Sequence, residues 1–389
     1  MHLIKREIKK EKEVIMKLLH TADLHLGKIV SGVSMLEDQR YILNEITKII
    51  KHEEVDGIII AGDLYDRSVP PTSAVSLLND TLFHWNVELK LPIYAISGNH
   101  DSAERLNFGS AWYKNTQLFM AGKLMKTIEP ISLAEAEIWL VPYHEPALVR
   151  ELMQDDEIRS YEDAMQAITK QIRSVWDSSK AQILVGHAFV AGGIPSDSER
   201  QLSVGNVDRV STTAFDGFDY VALGHLHHPH AISHPTIYYS GSPLKYSFSE
   251  SQDQKSVRIV SFSGNKLTEV REVPLIPQKD MRMESGTLQD LTTNLLDHPE
   301  DYLAIRLEDK GALIDPIGKL RPFYPNILHL ERKKLEITTQ NEDRFEELMK
   351  KDDIELFDQF FEHVRGESLT KKQVDLMTAI FNEVRKEEN

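Results

Sequence analysis

An α/β domain is predicted for the first two thirds of this 389-residue chain, on three observations. Short apolar runs alternate with longer amphipathic stretches. The runs are rich in Ile, Val, Leu and Tyr and end at Gly, Pro or Asp, as strands do. Polar motifs stand at the ends of five of these runs, where ligands bind in α/β sheets. A small α+β segment and a C-terminal helical hairpin follow. The length agrees with two or three domains of ~100–200 residues each.

Taken in order, residues 1–15 (MHLIKREIKKEKEVI) are charged throughout and lack an apolar core. They read as an N-terminal extension rather than a secretory signal. Met16 stands where the first strand opens. Strands are expected at Lys17–His20, Ile58–Ala61, Ile93–Ser97, Ile138–Val141, Ile183–Val185, Tyr220–Leu223 and Ile237–Tyr239. Ile42, Ile46, Ile49 and Ile50 share one face of a helix. Pro70 and Pro71 precede a second helix over Thr72–Asn86. A third fills much of Pro146–Asp177. Strand–helix–strand alternation of this kind makes a sheet covered by helices. Residues 16–276 form this main domain, and the proline-bracketed Val273–Pro277 is its exit. A second domain spans 277–338, with strands at Leu303–Leu307 and Ile327–Leu330. From 339 to 389 the chain is polar and helical. One apolar stripe is Ile354, Phe357, Phe361 and Val364, ended by Gly366. Another is Leu376, Ile380 and Val384, capped by Ser368 or Thr370.

Composition narrows the chemistry. There are 45 Lys and Arg against 61 Asp and Glu, a formal net charge of −16. That balance argues against a coat for nucleic acid or an anionic membrane as the main partner. The chain has no cysteine, so thiol catalysis, iron–sulfur clusters and Cys-ligated zinc are excluded. No apolar run approaches the ~20 residues that span a bilayer. The expected location is the cytoplasm.

The five strand-end motifs are Asp23-Leu24-His25, Gly62-Asp63-Leu64-Tyr65-Asp66, Gly98-Asn99-His100-Asp101, Gly186-His187 and Gly224-His225-Leu226-His227. In a D-x-H or H-x-H segment both side chains lie on one face of extended backbone. Such donors suit Mn, Fe or Zn, and without thiolates they favour Mn2+, with Mg2+ second. Their number suffices for two divalent ions ~3.5–4 Å apart, the spacing that clamps an in-line displacement on phosphorus. Asp63 is the expected bridge. Singly, each motif is more often a turn with a solvated or core histidine. The ordered set of five points to a two-cation phosphoesterase.

The order D-x-H, GDxxD, GNHD, GH and GHxH resembles the calcineurin-like metallophosphoesterase superfamily. LLHTADLHLGK, GDLYDRSVPP, SDSERQLSVG (residues 196–205), FDYVALGHLH and YYSGSPLKYSF are similar to the bacterial SbcD family, nuclease subunits of SbcCD complexes. The resemblance spans about Met16 to Ser249. It implies a β-sandwich flanked by helices (αββα), a capping domain that orients DNA, and two metal sites. Asp23, His25 and His227 would hold one ion, Asn99, His187 and His225 the other, and Asp63 both. His100 would protonate the leaving oxygen of the scissile phosphate or stabilise its charge, with Asp101 orienting it through a ring-nitrogen hydrogen bond. Water activated by the ions would be the nucleophile.

The resemblance also implies DNA exonuclease and hairpin or single-strand endonuclease activity in repair, recombination and replication, close to the nucleoid. It implies an SbcC-like SMC-type ATPase held by the C-terminal helices, and a homodimer within a two-plus-two heterotetramer. The chain has no P-loop of its own. Archaeal and eukaryotic relatives carry a histidine where Asp66 stands, so exo- and endonuclease roles do not transfer. Two other classes stay open: a phosphoesterase for nucleotides or phosphoproteins, and a non-catalytic scaffold.

Residues near the motifs have plainer readings. His20 reads as a packed or hydrogen-bonded residue. His228 and His230 read as an exposed loop, and Trp85, Trp112, Trp139 and Trp176 as core. Tyr143 and His144 could equally line the groove or pack behind it. Arg67 and Arg105 could meet phosphate or surface acids. The capping region has local basic candidates in Lys319, Arg321, Arg332, Lys333 and Lys334.

Overall fold

The computed structural model describes residues 15–193, 195–199, 209–309, 313–332 and 352–387. Two sheets build the main domain. The first has six strands in the order β11-β10-β1-β2-β3-β4, where β1 is Ile15–Thr21, β2 Gly57–Ala61, β3 Ile93–Ile96, β4 Leu118–Ala121, β10 Ser256–Ser263 and β11 Lys266–Pro274. The second has five in the order β9-β8-β7-β6-β5, with β5 Ile131–Ser132, β6 Ala136–Val141, β7 Ala181–His187, β8 Tyr220–Gly224 and β9 Ile237–Tyr239. The strands that carry the motifs run parallel: β1 with β2, β2 with β3, and β7 with β8. Their carboxyl ends therefore share a direction within each sheet.

The alternation of side chains along each strand separates three apolar layers. Leu18, Ile59, Ala61, Tyr94 and Ile96 point inward and meet Ala136, Ile183, Val185, Tyr220 and Ala222 of the other sheet. Leu19, Ile58 and Ile60 point outward, under helices α1 (Leu36–Glu53) and α2 (Thr72–Leu82). Leu184, Val221 and Leu223 face helices α3 (Pro146–Met153) and α4 (Tyr161–Arg173). Both faces of each sheet are covered, which is why these strands read as continuous apolar runs. The result is the helix-flanked sandwich expected from the sequence.

Some elements differ from that expectation. The helix expected over Pro146–Asp177 is two. Gln154 closes the first in the left-handed region (φ 55), and Ser160 with Asp163 opens the second by a capping box. The helix at Thr72 runs on as a π-helical turn over Phe83–Glu88. Strand β10 escapes an apolar-run criterion because Arg258 interrupts it, and β11 because charged residues recur along a half-buried to exposed strand. Its guanidinium is buried, donates to the Tyr239 carbonyl and pairs with Glu272 at 2.8 Å. Trp85 and Trp139 are core and Trp176 packs on Phe218, as expected. Trp112 is a correction: it is 68% exposed, edge-on to the exposed Phe108.

Beyond β11, β12 (Met281–Gly286), β13 (Tyr302–Leu307) and β14 (Ile327–Arg332) form a three-stranded sheet. Leu291, Leu303, Ile305, Leu320 and Tyr324 make its own small core. It is tied to the main domain by a Tyr302 hydroxyl donating to Asp38 at 2.8 Å and by Lys245 against Asp280 at 2.9 Å.

A separate unit holds helices α5 (Asp353–Arg365) and α6 (Lys371–Glu387). Gly366 ends α5 at φ 78, and Thr370 precedes α6 with its hydroxyl on Gln373. Phe357 meets Phe361 and Phe381 at ring distances of 6.5 and 6.2 Å. Phe360, Val364, Leu376 and Ile380 stay exposed. No helix among the described residues is long and apolar enough to cross a membrane. The expected extension at 1–15 (but for Ile15), residues 200–205 of the SDSERQLSVG stretch, Lys333, Lys334 and residues 339–351 lie outside the described residues.

Candidate metal centre

The five motifs meet at one rim of the sandwich. Asp23 and His25 follow β1, Asp63 follows β2, and Asn99 and His100 follow β3; His187 ends β7, and His225 and His227 follow β8. Backbone bonds stitch these turns together. The Asp23 and His25 N–H groups donate to the Gly62 and Asp63 carbonyls at 3.0 and 2.9 Å. The His225 N–H donates to the Asp23 carboxylate at 3.0 Å, joining the two sheets. Asp23, His25, Asp63 and His225 all sit at positive φ, between 45° and 105°. Such strain in non-glycine residues gathers at functional sites. A Cβ on Gly224 would lie 2.1 Å from the Ala61 carbonyl oxygen, and one on Gly98 would lie 2.2 Å from Asp63 Oδ1. Both glycines let the strand ends touch.

Two nests of donors share one oxygen. Asp63 Oδ2 lies 3.6 Å from His25 Nε2 and 3.5 Å from His187 Nε2. On the first side His25 Nε2 and His227 Nε2 face each other at 3.1 Å, and Asp23 completes a group able to hold one ion. On the second, Asn99 Oδ1 lies 2.9 Å from His187 Nε2 and 3.1 Å from His225 Nδ1. All of these side chains except Asn99 are buried, Asn99 partly so.

The donor chemistry fits divalent cations. The His187 Nδ1–H donates to the Ala61 carbonyl at 2.9 Å. A neutral ring then turns the Nε2 lone pair onto Asn99 Oδ1 and Asp63 Oδ2, acceptor against acceptor. A proton or a cation at Nε2 reconciles that arrangement. Burial opposes charge on His187, but the Asp63 carboxylate outweighs it and lifts the ring to about 9. Asp63 is driven down: burial opposes this, and His187 prevails. Burial lifts Asp23 to about 7, lowers His225 to about 3 and holds His25 well below its usual value. Burial also opposes charge on His227, but Glu250 outweighs it and raises that ring. A metal requires neutral imidazoles and ionised carboxylates, so a cation would take the place of the protons that His187 and His227 hold without one.

His100 and Asp101 need separate treatment. The His100 ring stands edge-on to His25, with centroids 4.7 Å apart. Its Nδ1–H donates to the Asp66 carbonyl at 2.8 Å, and its backbone N–H to Asp63 Oδ1 at 2.8 Å. The expected bond from Asp101 to the His100 ring is therefore corrected. Asp101 instead accepts the backbone N–H groups of Leu64, Tyr65 and Gly98 at 2.9–3.0 Å. It ties the Asp63 turn to the Asn99 turn, because three amides converge on it.

Other residues fall into place around the centre. His20 bonds to the Tyr220 hydroxyl. Tyr143 lies edge-on to His187, while His144 is buried and bonded to the Pro142 carbonyl. Arg67 pairs with Asp66, Arg105 is exposed, His228 faces Asp253 and His230 faces Glu272. Sequence reasoning assigns no role to Gln39, Ser198, Glu199, Glu250 or Lys255. Gln39 donates to the His25 carbonyl at 2.7 Å, and the other four surround His227. The SDSERQLSVG stretch was the available signal for Ser198 and Glu199.

A two-layer sandwich with this shared-carboxylate rim defines a metal-dependent phosphoesterase. The profile of the calcineurin-like phosphoesterase family matches residues 16–229. That of the Type 5 capsule protein repressor C-terminal domain matches residues 277–365. The chain is 39% identical over 364 residues to the SbcD subunit of the nuclease SbcCD from Staphylococcus epidermidis, covering 92% of this chain and 96% of the relative. It is 38% identical over 374 residues to the SbcD subunit of the nuclease SbcCD from Staphylococcus saprophyticus, covering 95% and 99%. The crystal structure of TT1561 of Thermus thermophilus aligns at 12% identity and a TM-score of 0.37, over 67% of this chain and 99% of that one. The chain belongs to the calcineurin-like phosphoesterase family and, within it, to the SbcD group of SbcCD nuclease subunits. It is thus a hydrolase of phosphoester bonds with a divalent-metal site.

Proposed function

We propose that the chain is the nuclease subunit of an SbcCD-type complex, a Mn2+-dependent phosphodiesterase acting on DNA. It degrades double-stranded ends exonucleolytically and opens hairpins or single strands endonucleolytically. The supporting observation is Asp63 Oδ2, which lies 3.6 and 3.5 Å from imidazole nitrogens of two donor nests. On this reading Asp23, His25 and His227 hold one cation, and Asn99, His187 and His225 the other, with Asp63 common to both. When bound, the cations neutralise the phosphodiester charge and make water a competent nucleophile.

The remaining work falls to the chain. Because the Asp66 carbonyl takes the His100 Nδ1–H, Nε2 is the ring nitrogen left for the substrate. His100 protonates the leaving oxygen from there or stabilises its charge. Asp101 keeps the turns of Asp63 and Asn99 in register through its three amides. DNA is gathered by the metal centre, local basic groups and partners rather than by net charge. The exposed Phe360, Val364, Leu376 and Ile380 of α5 and α6 suit an SbcC-like ATPase. A homodimer within a two-plus-two complex, working in the cytoplasm near the nucleoid, completes the reading.

The deciding assay offers hairpin and double-stranded DNA with Mn2+ or Mg2+, with and without the ATPase and ATP. Cleavage is expected with Mn2+. His100→Ala should lower it by at least ~10²-fold, the usual contribution of a general acid, with Mn2+ content near that of the parent. Equal cleavage by the variant would remove His100 from the chemistry. Absence of cleavage of any DNA, with hydrolysis of a nucleotide or phosphoprotein instead, would favour another phosphoesterase.

A further inference from the structure

His227 is held from behind by two buried polar residues, Glu250 and Lys255, and two half-buried ones, Ser198 and Glu199, with no role in the mechanism so far. Its Nε2 faces His25 across the metal centre, so Nδ1 points away from it. Nδ1 lies 2.6 Å from Ser198 Oγ, and the Ser198 hydroxyl donates to Glu250 Oε1. A hydroxyl has one proton. Once that proton goes to a carboxylate, the oxygen can only accept, so the ring must donate from Nδ1–H. The direction of these bonds leaves the Nε2 lone pair for a cation.

The backbone of His227 is gripped as well. Glu199 accepts its N–H at 2.6 Å, and Lys255 Nζ donates to its carbonyl at 2.9 Å. Lys255 also lies 2.6 Å from Glu250 Oε2, and both residues are buried, at 4% and 1% exposure. A buried ion pair costs desolvation and is weak evidence for stability on its own. Here both of its members are spent on one histidine. In the other cation nest, His187 is oriented by the Ala61 main-chain carbonyl, with no side-chain relay of this kind among the described residues.

We infer that Ser198, Glu199 and Glu250 are positioning residues that lock His227 with Nε2 toward the cation it shares with Asp23 and His25. The Ser196–Glu199 segment, reaching in from outside the sheets, thereby supports the cation site of His227. This deepens the two-cation reading and rests on it.

The test compares the full chain with Ser198→Ala and Ser198→Thr. Mn2+ alone is titrated by calorimetry, and the His227 ring nitrogens are followed by 15N NMR in the metal-free protein. Orienting partners of metal-bound histidines are worth about 10- to 100-fold in metal affinity. Ser198→Ala should weaken one of two Mn2+ sites by that factor, spare the other, and shift the ring signals away from the Nδ1–H form. Ser198→Thr keeps the hydroxyl and should restore both. Two unchanged Mn2+ sites with unchanged ring signals in Ser198→Ala overturn the inference and leave the two-cation reading intact. A parent chain that binds no Mn2+ overturns both.

Discussion

His20 shows how far burial governs single residues here. It sits between the sheets with Nδ1 2.8 Å from the Tyr220 hydroxyl. Burial, and next the Arg258 charge, pull it down to about 3. An unfolded chain protonates this ring near pH ~6.5. The stability it contributes is therefore intact above that pH and is lost as pH falls toward 3. His20→Gln keeps a hydrogen-bonding group and does not titrate. It should flatten the decline in urea-unfolding free energy between pH 7 and pH 5; an unaltered slope would assign that decline to other groups. At this scale the sequence was legible for polar types and blind to partners. The five strand-end motifs are visible by spacing, because a motif at a strand end is a local pattern, while the choice of Asp23, His25, Asp63, Asn99, His187, His225 and His227 among their residues is what the family resemblance implies. Two of the three bonds of Asp101 and the ring bond of His100 run to backbone atoms 34–37 residues away, which spacing does not contain.

Elements follow a similar division. Strands β2, β3, β7 and β8 are visible because they are buried on both faces and so uniformly apolar. Strand β10 is not, because Arg258 within it is neutralised by Glu272 on its neighbour β11. The split between α3 and α4 is set by local chemistry, the Ser160–Asp163 capping box. Ser160→Ala removes the hydroxyl that accepts the Asp163 N–H. It should cost about 0.5–2 kcal/mol, the usual value of an N-cap, read as a lower urea midpoint with unchanged Mn2+ content. A loss of metal alongside would mean that α4 supports the centre rather than only covering β7 and β8. Its Ile168 and Ile172 face Leu184 and Val221 in one core, so the cost should stay local.

On the proposed function, the whole molecule must reconcile a −16 charge with DNA. The negative groups are not all free to repel a phosphate backbone. Asp23, Asp63 and Glu250 are buried in the centre and its support. Among the described residues, the donors of that centre all come from the main domain. Deleting residues 341–389 should abolish co-purification with an SbcC-like ATPase while leaving Mn2+ binding to the main domain. Undiminished co-purification would place the partner's contact elsewhere. The exposed apolar row on α5 and α6 motivates the prediction, since an unpartnered apolar patch on a soluble chain commonly marks an interaction site.

The sequence by itself determined the sandwich-forming runs, the helical hairpin with Gly366 at its bend, the exclusion of thiol chemistry and the five polar motifs at strand ends. These depend on composition and on spacing within a few residues. Only the tertiary structure decided that Asp63 stands between two nests, that Asp101 braces turns rather than the His100 ring, and that Ser198 and Glu250 stand behind His227. These are contacts between segments from separate strands and sheets. They arise from parallel pairing and close glycine contacts at one rim, which no local periodicity encodes.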